Sequence, residues 1–389
     1  MLVRFCLIAS LAWGVAGSVC SLSAEDAAPA AAPAAADVAT EWAGLVKDME
    51  TFKETMAALK VRFSKATAAE KTKLNNEATG LILTFQTKTL PRLKELAPQA
   101  YKLKPEDTVA AQFLLETLVE KNQYAELVKV SDGVLKIEPK AQLALNYNGF
   151  GRYADHDFDG AIKVLKMAEA DGLLIPIGGK CLTDAEQYVE YWKTEQAIRA
   201  KEDAATGDEQ LPIVNLSTSK GDIEILMLEN EAPNAVANFI SLVEKKYYDG
   251  TKFHRIIPGF MAQGGDPNSR DKPELAGQGG PGYTIACECY QDNARRHFAG
   301  SLSMAHAGKD SGGSQFFLTH LPTNHLNPTP DKLPGATHTV FGRAIKGLDV
   351  IRALEMDDEI KSAVVVRKRN HEYVPKTTPD KKTTPEKKK

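Results

Sequence analysis

FHRIIPGFMAQGGDP, Phe253 to Pro267, is the stretch on which the reading of this chain turns. It sets one cation (Arg255), one amide (Gln263) and four large apolar side chains (Ile256, Ile257, Phe260, Met261) in a span closed by Gly264 and Gly265. Read as a strand, its alternation places Phe253, Arg255 and Ile257 on one face and His254 and Ile256 on the other. A guanidinium then shares a face with two apolar groups. The ordinary explanation is an edge-strand arginine that snorkels to water or pairs with a carboxylate. Three features point elsewhere: Pro258-Gly259 interrupts the strand, an apolar pair follows at once, and Gln263 lies eight residues beyond the arginine. A strand that stops at such a bend can line an apolar pocket with a few orienting polar groups.

Outward from this stretch the apolar residues recur with a period of two. Val214 and Leu216 precede a turn at Lys220-Gly221, and Ile223, Ile225 and Met227 follow it, which predicts a hairpin. Pro233 opens a helix whose apolar stripe is Val236, Phe239, Ile240 and Val243. Tyr283 to Cys289, Ser301 to Ala305, Gln315 to Thr319 and Thr339 to Ala344 read as further strands, and Leu348 to Glu355 as a short helix. Many strands and few helices predict a single antiparallel barrel or sandwich with helices at its ends.

The same blocks carry a family likeness. FHRIIPGFMAQGGDP together with GSLSMAHAG (Gly300 to Gly308), GSQFFLT (Gly313 to Thr319) and HTVFGRAIKGLDVI (His338 to Ile351) closely resembles the cyclophilin family of peptidyl-prolyl cis-trans isomerases. GGPGYTIACE, Gly279 to Glu288, looks like its bacterial branch. The likeness covers Leu211 to about Arg369, and it implies an eight-stranded antiparallel β-barrel capped by two helices.

It also implies a reaction whose chemistry suits these residues. Rotation about an X-Pro bond crosses a barrier of about 18–20 kcal/mol because amide resonance is lost at the twist. No bond breaks, so no nucleophile, metal or cofactor is needed. The twisted nitrogen regains a lone pair, and a guanidinium bound to it, or to the neighbouring carbonyl, favours the twisted state over the planar one. Arg255 has the fixed charge and forked donors for this, where Lys would offer one hydrated point. By resemblance, Phe260, Met261, Phe317 and Leu326 wall the proline pocket, and Gln263 and the backbone of His306 bind the substrate chain. Ala305, Ala307 and Gln315 line the adjoining groove, and His338 closes the rim. Proline-containing polypeptides are the partner this implies.

Two departures from the family pattern stand out. His325 occupies the position where many members carry a tryptophan, which removes the indole N–H associated with tight cyclosporin binding and predicts activity with weakened inhibition. Between Leu326 and His338 the chain carries NPTPDKLPGAT, a longer, Pro-rich loop beside the pocket. Six histidines (His254, His297, His306, His320, His325, His338) invite a metalloenzyme reading. No pair has the i, i+4 spacing of a zinc motif with a glutamate between, so no metal site is expected.

The N-terminal half reads as helical. Ala27 to Ala36 is a Pro/Ala tether, and Leu45, Met49, Phe52 and Met56 mark an apolar stripe. Leu81, Leu83, Phe85, Leu90 and Leu93 mark a later segment that Pro91 should break. Pro105 and Pro139 stand 34 positions apart, as do Tyr124 and Phe158. Gly149, Phe158, Ala161, Leu165 and Ala168 fall where a tetratricopeptide repeat places its packing residues, a partial resemblance confined to Pro105 to about Gly172. It implies stacked helix pairs able to present a groove to a protein partner; an ordinary helical bundle with a chance period fits the same residues. Thr183 to about Glu202 reads as one more helix begun by a Thr183/Glu186 capping box. The expected organisation is a signal peptide (1–24), an Ala/Pro linker (25–37), a helical domain (38–202), an acidic linker (203–210), the isomerase-like domain (211–370) and a disordered basic tail (371–389).

With 389 residues, 43% hydrophobic and 25% charged, the chain holds two ordinary domains, and a net charge of −3 argues against nucleic-acid partners. Arg4, the apolar run FCLIASLAWGVAG and the small residues SLSA read as an export signal. The run is too short to span a bilayer, so the expectation is an exported protein of the periplasm or cell envelope with no integral membrane segment. Val19 before Cys20 fits lipoprotein processing poorly. Past the signal only Cys181, Cys287 and Cys289 remain, which is no disulfide framework; Cys287 and Cys289 read as small buried residues of a strand. A rival function is a binding module that holds unfolded exported chains, with isomerisation incidental; Arg255→Ala separates the two.

Overall fold

The computed structural model describes residues 35–328 and 335–380. The expected signal peptide, most of the Ala/Pro linker, the middle of the 327–337 loop and the end of the tail lie outside the described residues. The chain divides into two compact units, Met1–Thr117 and Leu118–Lys389.

The first unit is helical: α1 (Ala35–Lys65), α2 (Ala68–Thr84), α3 (Leu90–Leu103) and most of α4 (Thr108–Glu120). Pro91 does not break the helix there. A π-helical turn, Phe85–Thr89, joins α2 to α3, with the Leu90 amide donating to the Phe85 carbonyl. The wider turn passes the proline through the first turn of α3, where its missing N–H costs least. Asp107 begins α4 by accepting from the Ala110 amide at 2.9 Å, and its other oxygen accepts from the Trp42 indole at 2.9 Å.

The second unit joins four helices to the sheet. α5 (Tyr124–Ile137), α6 (Gln142–Ala154) and α7 (Phe158–Ala170) form hairpins, and Gly149 lets α6 and α7 close up, since a Cβ there would meet Leu165 Cγ at 2.3 Å. α8 (Pro176–Ala204) starts seven residues before the expected Thr183. Pro176 pre-sets the first turn, and Gly178 sits against Asn146, where a Cβ would fall 2.0 Å from Oδ1. Thr183 Oγ1 therefore donates to the Gly179 carbonyl inside the helix instead of capping it.

The remaining elements are β1 (Ile213–Thr218), β2 (Gly221–Met227), α9 (Pro233–Glu244), β3 (Arg255–Ile257), β4 (Met261–Gly264), α10 (Asn268–Asp271), β5 (Tyr283–Thr284), β6 (Ser301–Met304), β7 (Phe316–Thr319), β8 (Val340–Lys346), α11 (Leu348–Ala353), β9 (Ile360–Arg367) and β10 (Thr378–Pro379). Eight strands form one curled antiparallel sheet, a half-barrel, in the order β3-β4-β7-β6-β8-β2-β1-β9. Main-chain bonds from Phe253 N to Asp358 O and from Ile360 N to Thr251 O tie the approaches to its two edges. Inside the curl Val214, Leu216, Ile223, Ile225 and Met227 of the predicted hairpin pack with α9 residues Val236, Phe239, Ile240 and Val243, all buried. Each such side chain contributes about 1.5–3 kcal/mol.

Several expectations change. Strand β5 is two residues long, so Cys287 and Cys289 lie in the loop after it, the first half-buried and the second buried. The chain does not become a free tail at 371: Tyr373 is buried, Lys376 and Asn234 exchange two hydrogen bonds, and β10 pairs with β5. Compactness does not change at the 203–210 linker. Tyr153 donates to Pro322 O (3.0 Å), Tyr188 to His297 O (2.7 Å), and the Ala299 amide to His156 Nε2 (3.0 Å), so α6 to α8 are bound to the sheet by directed bonds.

Candidate functional site

Register sorts the site onto one face of the sheet. Arg255 pairs with Gln263, Ile257 with Met261, and Gln263 in turn with Phe317 on β7. Directly paired residues share a face, so Arg255, Ile257, Met261, Gln263 and Phe317 stand together on the outside of the curl. Their alternates Ala262, Phe316 and Leu318 are buried in the core within it, with Ile256 packed against them. Phe253 departs from the expected alternation. It precedes β3 and turns into the core, so the arginine shares its face with Ile257 but not with Phe253.

On that face Met261, Phe317 and Leu326 form a buried apolar cluster, with Ile257, Phe260 and Ala305 partly buried against it. The turn between β3 and β4 brings Phe260 there: Gly259 adopts φ +69°, and Phe260 N donates to Ile257 O at 3.0 Å. Gly265, at φ +80°, ends β4, and a Cβ there would meet the Ser314 carbonyl at 2.5 Å, so only glycine lets the two segments approach. A 3-10 turn, Asn324–Leu326, carries Leu326 into the cluster and leaves His325 exposed, its ring 5.1 Å from that of Phe260.

A polar chain runs along the edge of the apolar floor. Arg255 Nη1 donates to Gln263 Oε1 (3.1 Å), and Gln263 Nε2 donates to Gln315 Oε1 (3.0 Å). Gln315 Nε2 then donates to Gly279 O (2.9 Å) and Gly277 O (3.0 Å). The guanidinium is thus held at the pocket rim by an amide whose own orientation is set by a second amide. Asp266 anchors the far end, its buried carboxylate accepting from the amides of Asn268 (2.8 Å) and Gly279 (2.9 Å).

The histidines close the other side. His338 Nδ1 is 2.9 Å from the Met304 carbonyl, which fixes Nδ1 as the donor, and its ring meets Phe317 edge-on at 5.4 Å. His306 stacks on His338 at 4.0 Å and donates through Nε2 to Thr337 O at 2.9 Å. Burial holds the His306 ring below the ordinary histidine range, so it stays neutral near pH 7. Ala307 stands apart from the cluster; it is exposed, and its amide donates to Ser311 Oγ (3.1 Å).

Sequence comparison assigns the domain that carries these residues. The family profile described as cyclophilin type peptidyl-prolyl cis-trans isomerase/CLD matches residues 213–373. A peptidyl-prolyl cis-trans isomerase of Synechococcus elongatus is 46% identical over 153 residues, 39% of this chain and 94% of that protein. Peptidyl-prolyl cis-trans isomerase B of Bacillus subtilis is 47% identical over 143 residues, 37% of this chain and 90% of that protein. This chain belongs to the cyclophilin-type family. An isomerase of Helicobacter pylori is also similar, 42% identical over 151 residues, 38% of this chain and 83% of that protein. The matches fall on the cyclophilin domain, and the helices before it lie outside the matched region.

Within the cyclophilin domain, sequence reasoning missed the supports. His297 lies behind Phe317 with ring planes 4° apart, Nδ1 3.0 Å from Asn327 Oδ1 and Nε2 2.9 Å from Ser303 Oγ. Asp266 lies inside the opening motif, where its bond from the nearby Asn268 amide looks like an ordinary turn and the Gly279 amide that it also receives is not visible locally. Among the described residues no group of His, Cys, Asp and Glu forms a metal-binding cluster.

Proposed function

We propose that Arg255 catalyses the rotation of X-Pro bonds while the cluster of Phe260, Met261, Phe317 and Leu326 holds the proline ring. The domain is a peptidyl-prolyl cis-trans isomerase. The observation that carries the residue assignment is the in-register Arg255–Gln263 pair on the face that bears Met261 and Phe317. A proline ring on that floor leaves its nitrogen and carbonyl towards the rim, where the guanidinium donates. The arginine has more to bind in the twisted state, because the nitrogen lone pair exists only there. Gln263 and the main chain at His306 bind the flanking peptide, Ala305, Ala307 and Gln315 line the groove beside the pocket, and His338 closes its rim.

The substrates we propose are proline-containing segments of exported proteins as they fold, with Met1 to Ala24 as the export signal, the periplasm or cell envelope as the location, and two helices capping the sheet. The 34-residue register of the helices supports a tetratricopeptide-like arrangement offering a surface to a protein partner. Proline-limited refolding of a model protein tests the core of this. Arg255→Ala should slow catalysis about 10²–10³-fold, the usual worth of one preorganised donor in a transition state. A wild-type refolding rate would refute the assignment to Arg255.

A further inference from the structure

The helices of the second unit touch the sheet at two turns that occupy equivalent places in the 34-residue register. Asn122, before α5, and His156, before α7, stand 34 positions apart, both with left-handed backbone, φ +55° and +67°. Both point a side chain at main chain of the cyclophilin domain, yet they reach different places. His156 Nε2 accepts from the Ala299 amide at 3.0 Å. Asn122 reaches the proline pocket.

Its Oδ1 accepts from the Gly259 amide at 2.7 Å and from the Tyr124 hydroxyl at 2.9 Å, and its Nδ2 donates to Arg352 O at 3.0 Å. Ile257 to Phe260, with Pro258 second, Gly259 third at positive φ and the Phe260 N to Ile257 O bond, has the signature of a type II turn. The amide between the two central residues of such a turn points away from it, and here it points at Asn122. Flipping that one peptide converts type II to type I, which glycine tolerates. A second tether holds the other side of Phe260, whose carbonyl accepts from His320 N at 2.9 Å. The His320 carbonyl accepts from Arg352 Nε (3.0 Å), and Arg352 is seated on the Tyr124 ring and paired with Asp155.

We infer that Asn122 is a positioning residue of the isomerase site: it locks the Pro258–Gly259 peptide and so sets the pocket wall formed by Phe260. The helical repeats thereby govern substrate binding from behind the pocket. This rests on the reading of Phe260 as a pocket wall and Arg255 as the catalyst.

The test uses the full chain with Asn122→Gly, which keeps the left-handed turn but removes the side chain, and Asn122→Asp, which keeps the oxygen acceptor. His156→Phe removes the matching docking bond, and Arg255→Ala reports on the site itself. Steady-state isomerisation of a series of X-Pro peptides is measured beside hydrogen exchange of the 255–262 segment and thermal midpoints. A wall that holds the proline ring in both ground and transition states acts through KM. Asn122→Gly should therefore raise KM about tenfold with kcat little changed, in line with one lost buried hydrogen bond. It should also speed exchange at Gly259, and Asn122→Asp should restore both. His156→Phe should lower the thermal midpoint without moving KM, and Arg255→Ala should lower kcat. Wild-type KM in Asn122→Gly, or an equal rise in His156→Phe, overturns the inference while leaving the site intact if Arg255→Ala is inactive. Full activity in Arg255→Ala overturns both.

Discussion

The inside of the curled sheet and the seam between that sheet and helices α6 to α8 are both buried, but they are held by different physics. Inside the curl the contacts are aliphatic and aromatic, from Val214 and Ile225 to Phe239 and Phe341. At the seam Arg295 donates through Nε and Nη2 to both oxygens of Glu195 (3.0 and 2.7 Å) and through Nη1 to Glu202 (2.6 Å), and Arg343 Nη2 donates to the other Glu202 oxygen at 3.0 Å. Non-directional burial tolerates small shifts, whereas a bidentate pair out of water demands one geometry. The seam is the part of this unit that fixes how the helices meet the catalytic domain.

Four experiments break or sharpen that contrast. Arg295→Ala removes the guanidinium that Glu195 and Glu202 share, leaving each to its other arginine, Arg199 or Arg343, and should cost about 3–5 kcal/mol, read as a lower urea midpoint. Replacing Arg295, Glu195 and Glu202 together by apolar residues of similar size should recover part of it, the remainder being the cost of taking Glu195 from Arg199 and Glu202 from Arg343. If the triple variant is as unstable as the single one, the seam is not limited by charge desolvation.

Ile225→Ala, inside the curl, should cost about 2–5 kcal/mol through lost burial and a cavity. That loss should be the same at pH 7 and pH 5. A pH-dependent loss would mean that the core and the seam are not separable.

Acid should act on the seam first. Burial pushes His156 and His320 down to about 3 from an ordinary value near 6.5. The unfolded chain takes up protons below pH 6.5 that the folded chain refuses, so the stability present above pH 6.5 is lost progressively as pH falls towards 3. Each histidine should contribute a slope approaching about 1.4 kcal/mol per pH unit. His320→Phe, filling the same buried site without a titrating group, should flatten the stability curve between pH 6 and 4. An unchanged slope would show that His320 does not set it.

The smallest effect concerns the rim. His325→Trp adds an indole beside Phe260 and should tighten cyclosporin about tenfold, the worth of one hydrogen bond, with little change in peptide turnover. Equal inhibition of both proteins would show that this position does not govern inhibitor affinity.

The legible parts of this chain were those with a local period. Val214, Leu216, Ile223, Ile225 and Met227 alternate because one face of a hairpin is buried, and all five are. Strand β9 is not legible in the sequence because Val364 and Val366 are apolar yet exposed, which blurs its alternation. Glu195 and Arg199, four apart on α8, look in sequence like a solvated helical ion pair. They are withdrawn from water only when Arg295, distant in the chain, pairs with Glu195 and the Phe298 ring comes under Arg199.

The order of motifs from Phe253 to Ile351 sufficed by itself for the family and the reaction, and the period of two placed Arg255 and Ile257 on one face, because strand register turns a linear pattern into a shared face. What only the folded chain decided was which buried groups hold those residues still. Asn122 reaching the Gly259 amide, His297 lying behind Phe317 and Asp266 collecting two amides all depend on partners far away in sequence or beyond a turn, and a hydrogen bond between such groups leaves no period to read.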